Sequence, residues 1–373
     1  MATRPLDLKP LTSLRIFAAL WVVLGDYWAD RLGAGPASGL VAHGHYGVEL
    51  FFVLSGFILC HVYLDGFGTR RFSFGGFLWA RLARVYPLHL ATLAGVGLMA
   101  GAALALGAQL SHPVLYWPAF VPNLLLMNAW GFTQGGGWNH PAWSISAEWF
   151  AYLLFPVFAA AAWALRQRPK VALAGAACLL LAIYPSFERL AGFPLTYATI
   201  VWGARRIVPC FTLGCAVYLL WKAAPIRAPR VAEACSLAVV ALAASLAALD
   251  APAALVVASF GAVIFCLAGL TVSGSARLSH PWLVYLGEVS FAVYMVAIPW
   301  KMLVMSGAQK LLHLSGGLPT PLWALYFAGV IPVAMVAHHL VERPAREAMR
   351  KMKPPRMIPR ILPTRDETSR NIA

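Results

Sequence analysis

Ionisable side chains lie inside stretches of this sequence that are otherwise apolar. Arg15 and Asp26 share one such stretch, and eleven residues of α-helix bring both onto one face, about 16 Å apart along the axis. Charge is costly inside a bilayer, so these residues are candidate site residues. A carboxylate can take a proton from a hydroxyl group, and the shared face favours a polar path along the helix. The alternative is that each side chain extends to the nearer membrane surface.

A second carboxylate, Glu148, lies near the start of another apolar stretch. If that stretch runs inward from the outer side, Glu148 lies near the depth of Asp26, and Arg205 and Arg206 enter a later stretch at a similar depth. Two carboxylates that face two guanidinium groups can form a structural ion-pair network. The uncharged loop before Glu148 is rich in Trp, Gly and Asn, which instead favours a binding mouth.

Arginines also cluster toward the opposite side. Arg81 and Arg84 are three residues apart and therefore share a helical face, and Arg15 is predicted to lie at the same depth, with Arg71 nearby. Guanidinium groups bind phosphate in bidentate fashion, so convergent arginines suit a phosphate-rich ligand. The alternative explanation is the general excess of basic residues on the cytoplasmic side of membrane proteins.

The elements that carry these residues are predicted to be membrane helices. The chain of 373 residues is 60% hydrophobic and 12% charged, about half the charge of a soluble protein. Apolar runs near 20 residues recur, which excludes a soluble enzyme and a barrel. We predict an all-α integral membrane protein with about ten transmembrane helices, at 11–30, 46–66, 84–106, 143–165, 169–186, 203–221, 231–248, 253–272, 282–305 and 320–342. Prolines make 113–131 a re-entrant or surface-lying segment.

The net charge of +15 reflects topology, not nucleic-acid binding. Most basic residues lie in the termini and in every second loop between apolar runs, and these segments share one side of the membrane. Because that side is normally the cytoplasmic one, both termini are predicted to lie in the cytoplasm. Residues 1–346 are predicted to form the transmembrane domain, and 347–373 a basic, proline-containing cytoplasmic tail at the lipid surface. The cysteines show no metal-ligand spacing, and no metal or tightly bound cofactor is expected. The sequence shows no internal repeat of the kind that many transporters have.

Several segments resemble the signatures of the acyltransferase-3 family of membrane O-acyltransferases. They occur in the order typical of the family and span nearly the whole chain. These segments are LRIFAAL at 14–20, GVELFFVLSGF at 47–57, RLARVYP at 81–87, WSISAE at 143–148, SFAVY at 290–294 and ERP at 342–344.

The resemblance implies a ten-helix enzyme in the bacterial cytoplasmic (inner) membrane. Such an enzyme moves an acyl group, often acetyl or succinyl, from cytoplasmic acyl-CoA to a hydroxyl of a sugar, a glycan or another acceptor at the outer face. Arg15, Arg81 and Arg84 then bind the donor, and Asp26, Glu148 and Arg15 are the candidate catalytic residues. The acceptor and the oxyanion are assigned to Trp143, Ser144, Ser146, His140, Arg205, Arg206 and Tyr294.

Two positions depart from the family pattern. The family has a histidine eleven residues after the first-helix arginine, where this chain has Asp26, and commonly another at the position of Ala297. Asp26 is the predicted replacement base, and His140 is either an ordinary loop histidine or the source of the missing imidazole. Three hypotheses therefore stand: an active O-acyltransferase, an impaired relative that still binds acyl-CoA or glycan, and a glycan-export component.

Overall fold

The computed structural model describes residues 6–107, 114–314 and 316–352, and α-helices make up most of them. Short 3-10 turns lie at 28–30, 117–119 and 195–197, a π-helical turn lies at His338–Glu342, and no strand occurs in these residues. The α-helices are α1 (Lys9–Tyr27), α2 (Gly39–Ala42), α3 (Tyr46–Gly68), α4 (Phe74–Ala105), α5 (Phe120–Leu124), α6 (Ala142–Leu153), α7 (Phe155–Ala164), α8 (Pro169–Ala191), α9 (Gly203–Ala223), α10 (Pro229–Ala248), α11 (Ala253–Val272), α12 (Pro281–Leu311), α13 (Thr320–Ala337) and α14 (Arg343–Lys351).

The apolar helices confirm an all-α membrane protein. In the described residues, eight helices are long and apolar enough to cross a membrane, or nine if the bent pair α6–α7 is one span. The 19-residue helix α1 is not among them, because it carries Arg15 and Asp26 within a short apolar run. The predicted ten spans require both α1, which packs on α3 and α12, and the bent pair as one span. The cytoplasmic placement of both termini stays a prediction.

Glycines let the central helices approach closely. A Cβ atom at Gly56 of α3 would overlap the carbonyl oxygen of Phe211 in α9, and one at Gly214 of α9 would overlap that of Val53. Gly287 brings α12 equally close to the α1 backbone. Small residues at helix crossings are the usual means of tight packing in membranes. The backbones of α1 and α3, which carry candidate site residues, are thus fixed against their neighbours.

The predicted span 143–165 is a broken helix. α6 and α7 meet at an angle of 56°, because Pro156 lacks the amide hydrogen that would continue α6. α6 also begins inside the bundle. The Asn139 side chain, just before α6, donates to the carbonyl of Met295, midway along α12, over 3.1 Å. As predicted, 114–131 forms no spanning helix; it contains a 3-10 turn and α5.

The start of α4 corrects the predicted third span. The helix begins at Phe74, not at residue 84, and the Ser73 hydroxyl caps it by accepting from the Gly76 amide over 3.2 Å. Arg81 and Arg84 therefore lie inside a helix of 32 residues.

The last span continues past its predicted end. α13 leads through the π-helical turn into α14, so residues 347–351 of the predicted tail are helical. The rest of that tail, from residue 353 onward, lies outside the described residues.

Candidate active site

Five helices line a partly open cavity of about 160 Å³ in the bundle. Apolar side chains of α3, α4, α6 and α12 form part of its wall, among them Phe51, Ile58 and Phe291. The polar side chains that line it come from α1, α3, α4, α6 and α12, and are those of Arg15, Ser55, Arg81, Arg84, Ser144, Glu148, Tyr152, Ser290 and Tyr294. Arg15, Arg81, Arg84 and Glu148 thus converge on one cavity from distant parts of the sequence.

Arg84 is held in place by a buried carboxylate. Its Nη1 lies 3.0 Å from Oε1 of Glu342, whose side chain is 0% exposed. The ring of His338 and the guanidinium of Arg346 also contact Glu342, at 2.9 and 3.5 Å. Among the described residues, Nη2 of Arg84 is buried and has no hydrogen-bond partner. One edge of the guanidinium is therefore fixed and another is free to bind a ligand.

Arg81 is held less tightly. Its Nη2 lies 3.4 Å from the Tyr63 hydroxyl, and its buried Nε has no partner among the described residues. With Arg15, three guanidinium groups line the cavity, against the carboxylates of Glu148 in the wall and Glu342 behind it. With Arg346, which also contacts Glu342, four guanidinium groups stand against two carboxylates, and this positive surplus favours an anionic ligand, such as a phosphate group.

Glu148 lies deeper than its position in the sequence predicts. It lines the cavity with Arg15, and Asp26 does not; the expectation that Glu148 and Asp26 share one depth is wrong. The reason is the inward start of α6, fixed by the bond from Asn139 to mid-α12. Oε1 of Glu148 accepts a hydrogen bond of 2.5 Å from the Ser55 hydroxyl of α3.

Asp26 lies near the other end of α1. Its side chain is exposed, and its backbone carbonyl accepts from Nζ of Lys301 over 3.1 Å. The same Nζ lies 2.9 Å from the Asp30 carboxylate. The structure therefore does not bring Asp26 to the cavity that Glu148 lines, and its role as a base stays a prediction.

The predicted arginine pair of α9 does not face Asp26 and Glu148. Arg206, 1% exposed, instead binds both oxygens of Glu49, at 2.5 and 2.8 Å. Its guanidinium carbon lies 4.8 Å from the centre of the Trp143 ring, which is itself buried. Arg205 is exposed and lies 4.3 Å over the ring of Trp202. Arg206 therefore forms a structural ion pair, one of the two interpretations of this cluster, but its partner is Glu49 and not Asp26 or Glu148.

Of three other residues that were predicted to bind the acceptor, one lines the cavity and two do not. Ser144 lines the cavity, and its hydroxyl donates to the Pro141 carbonyl over 3.1 Å. Ser146 is fully buried, and its Oγ accepts from the Ala129 amide over 3.0 Å, which fixes the preceding loop. His140 lies in that loop and is exposed, although the protein around its ring lowers the imidazole pKa through desolvation. His140 does not line the cavity.

Four residues of this site were absent from the sequence-based assignment: Ser55, Tyr152, Ser290 and Glu342. Signals for three of them were present, since Ser55, Ser290 and Glu342 belong to the segments 47–57, 290–294 and 342–344. Tyr152 follows Glu148 by four residues and so shares its helical face. Spacing alone did not distinguish these polar residues from residues that pack.

A family profile and one relative indicate an acyltransferase. The sequence profile of the acyltransferase 3 family, described as an acyltransferase domain, matches residues 10–339. The chain is 29% identical to the acyltransferase MdmB of Streptomyces mycarofaciens, over 95% of both chains. It is also 40% identical, over 22% of its length and 41% of the relative's, to protein 2 in the picA locus of Rhizobium radiobacter. No solved structure matches.

Proposed function

Since the chain belongs to the acyltransferase 3 family, we propose that it is an active O-acyltransferase that uses acyl-CoA as donor. The observation that carries the proposal is the convergence of three arginines, one carboxylate and several hydroxyls on a single cavity. An active site for acyl transfer needs a base for the acceptor proton and cations for the developing oxyanion. Glu148 and the arginines supply groups of both kinds.

The size of the cavity favours a short acyl group. A cavity of about 150 Å³ holds a benzene molecule, that is, six carbon atoms, and this one measures about 160 Å³. Acetyl and succinyl groups, with at most about seven non-hydrogen atoms, match this volume. We assign the acyl end of the donor to the cavity, where free guanidinium edges bind a phosphate or the thioester oxygen.

The proposed acceptor is a hydroxyl of a sugar, a glycan or another molecule at the outer face of the bacterial cytoplasmic membrane. The loop before α6 leads directly into the helix that carries Ser144 and Glu148, and residues 114–141 contain no Lys or Arg. A neutral, aromatic-rich surface of this kind suits a sugar better than a nucleotide. Trp, Gly and Asn side chains of this loop are the proposed first contacts of the acceptor.

Acyl transfer in membranes tests the proposal. Membranes that contain the chain are supplied with radiolabelled acetyl-CoA or succinyl-CoA and with a panel of sugars, glycans and small hydroxylated compounds. Glu148→Gln is expected to lower transfer at least about 100-fold, the lower end of the effect of a catalytic base. Arg81→Gln and Arg84→Gln are each expected to lower it about 100-fold, the lower end of the effect of an oxyanion donor. Arg166→Gln, at an exposed position outside the cavity, is the matched control.

The same assay decides the role of Asp26. Asp26→Asn is expected to retain activity, because Asp26 does not line the cavity. An inactive parent that Asp26→His restores would instead mark an enzyme disabled at one position. Inactivity of the parent and of both variants with all donors and acceptors would refute the proposed function.

A further inference from the structure

The hydroxyl groups of the cavity are not equivalent. Ser144 and Ser290 donate to carbonyls of Pro141 and Gly287, three residues earlier in the chain, at 3.1 and 2.7 Å. Hydrogen bonds of this kind to nearby backbone are a common way to satisfy a serine. Ser55 instead donates across the helix interface to Oε1 of Glu148, at 2.5 Å. Ser55 and Glu148 both line the cavity.

A serine whose hydroxyl donates to a carboxylate in an active-site cavity has the geometry of a nucleophile and its base. In the described residues, Glu49 and Glu342 form salt bridges with Arg206 and Arg84, whereas Glu148 forms none and accepts the hydrogen bond of Ser55. Arg15, Arg81 and Arg84 line the same cavity, where guanidinium groups can stabilise an oxyanion.

We propose that Ser55 is the nucleophile of this enzyme and carries the acyl group as a covalent ester; this inference rests on the proposed function. Oγ of Ser55 attacks the thioester carbonyl, an O–C bond forms, and the C–S bond breaks. The serine proton passes to Glu148 and from there to the departing CoA sulfur. The acceptor hydroxyl then attacks the ester, Glu148 takes its proton, and that proton returns to Oγ as the O–C bond to Ser55 breaks.

Two properties of the site favour this two-step path over direct transfer. The cavity of about 160 Å³ matches one short acyl group in size. Ser55 also lies about 14 Å from the start of the 23-residue helix α3, which is close to its middle. An ester at this depth passes the acyl group between the two sides of the membrane while CoA stays on its own side.

Isotope exchange without an acceptor is the experiment of choice, because it does not require the acceptor to be known. The purified chain in lipid nanodiscs is incubated with acetyl-CoA and radiolabelled CoA. A covalent intermediate makes the first step reversible, so label enters acetyl-CoA, whereas direct transfer gives no exchange. Ser55→Ala is expected to lower exchange at least about 100-fold, while Ser259→Ala is expected to retain it. Ser259 is a buried serine of α11 that donates to its own helix.

The intermediate itself is trapped with labelled acetyl-CoA, acid quenching and peptide mass spectrometry. The parent is expected to carry an acetyl ester on Ser55 that resists neutral hydroxylamine. Ser55→Cys, which differs little in size, is expected to carry a thioester that neutral hydroxylamine cleaves, and this change identifies the labelled atom even if Ser55→Ala fails to fold.

The outcomes separate this inference from the proposed function. Transfer to an acceptor by the parent, with neither exchange nor a label on Ser55, would overturn the nucleophile and leave the acyltransferase standing. Labelling of another residue, or undiminished exchange in folded Ser55→Ala, would also overturn it. A parent that neither exchanges, labels nor transfers would refute both proposals.

Discussion

The ion pair between Glu49 and Arg206 gives a quantitative prediction about stability. Both side chains are at most 2% exposed, and Arg206 also donates to the carbonyls of Ala198 and His45, at 3.1 and 3.3 Å. Arg206→Met leaves the Glu49 carboxylate without its cation, and Glu49→Met leaves the guanidinium without its anion. The double variant removes both charges.

Removing one partner of a buried ion pair costs about 3–5 kcal/mol, because the other charge stays uncompensated. Replacing both partners by groups of similar volume is often nearly neutral. We therefore expect each single variant to lose about 3–5 kcal/mol of unfolding free energy and the double variant to lose less than either. Interhelical hydrogen bonds in membranes average only about 0.6 kcal/mol, so the coupling energy distinguishes an ion pair from an ordinary polar contact.

The assay is equilibrium unfolding in mixed micelles, followed by the fluorescence of the chain's 14 tryptophans. A double-mutant cycle from the four proteins yields the coupling energy directly. Additive losses, or a coupling energy below about 0.6 kcal/mol, would refute the buried ion pair. If Arg206→Met loses activity while its stability is unchanged, Arg206 would instead be assigned to acceptor binding.

Three further predictions concern the cavity and the helix packing. Glu342→Gln removes the anion that fixes Arg84. Because a charge-assisted hydrogen bond is worth about 1.5–3 kcal/mol, KM for the acyl donor should rise about tenfold or more in steady-state kinetics. An unchanged KM would contradict the role of Glu342. Gly56→Ala must push α3 away from the Phe211 carbonyl and should cost about 1–3 kcal/mol. Its control, Gly175→Ala, meets no atom within 4 Å and should equal or exceed the parent in thermal unfolding; equal Tm values for Gly56→Ala and the parent would refute the close approach. Finally, Glu148→Gln should lower transfer far more than Asp26→Asn, and the reverse order would assign the base to Asp26.

Much of the fold was predictable because the signals are local. Apolar runs set the helices, and Pro156 in the sequence marks the bend between α6 and α7. The early start of α4 was missed because the basic residues Arg81 and Arg84 look like a loop by charge alone. A serine at position 73, whose side chain caps the helix, was the available signal for the true boundary.

The site was predictable only in part, for reasons of distance in the sequence. Arg15, Arg81, Arg84 and Glu148 do meet at one cavity, although Glu148 was expected at another depth. That depth depends on the contact between Asn139 and Met295, which are 156 residues apart. The partner of Arg206 is 157 residues away. Periodicity and charge patterns give no information on such pairings, which arise when helices pack.

The π-helical turn at His338–Glu342 has a consequence for how this region can change in evolution. A π turn holds one residue more than the α-helix into which it is inserted. Deletion of a single residue here would restore the α-helical pitch and rotate every later residue by about 100°. Glu342 would then turn away from Arg84, even though no residue of the cavity wall had been replaced. Active relatives should therefore tolerate substitutions in α14 more readily than a one-residue gap before it.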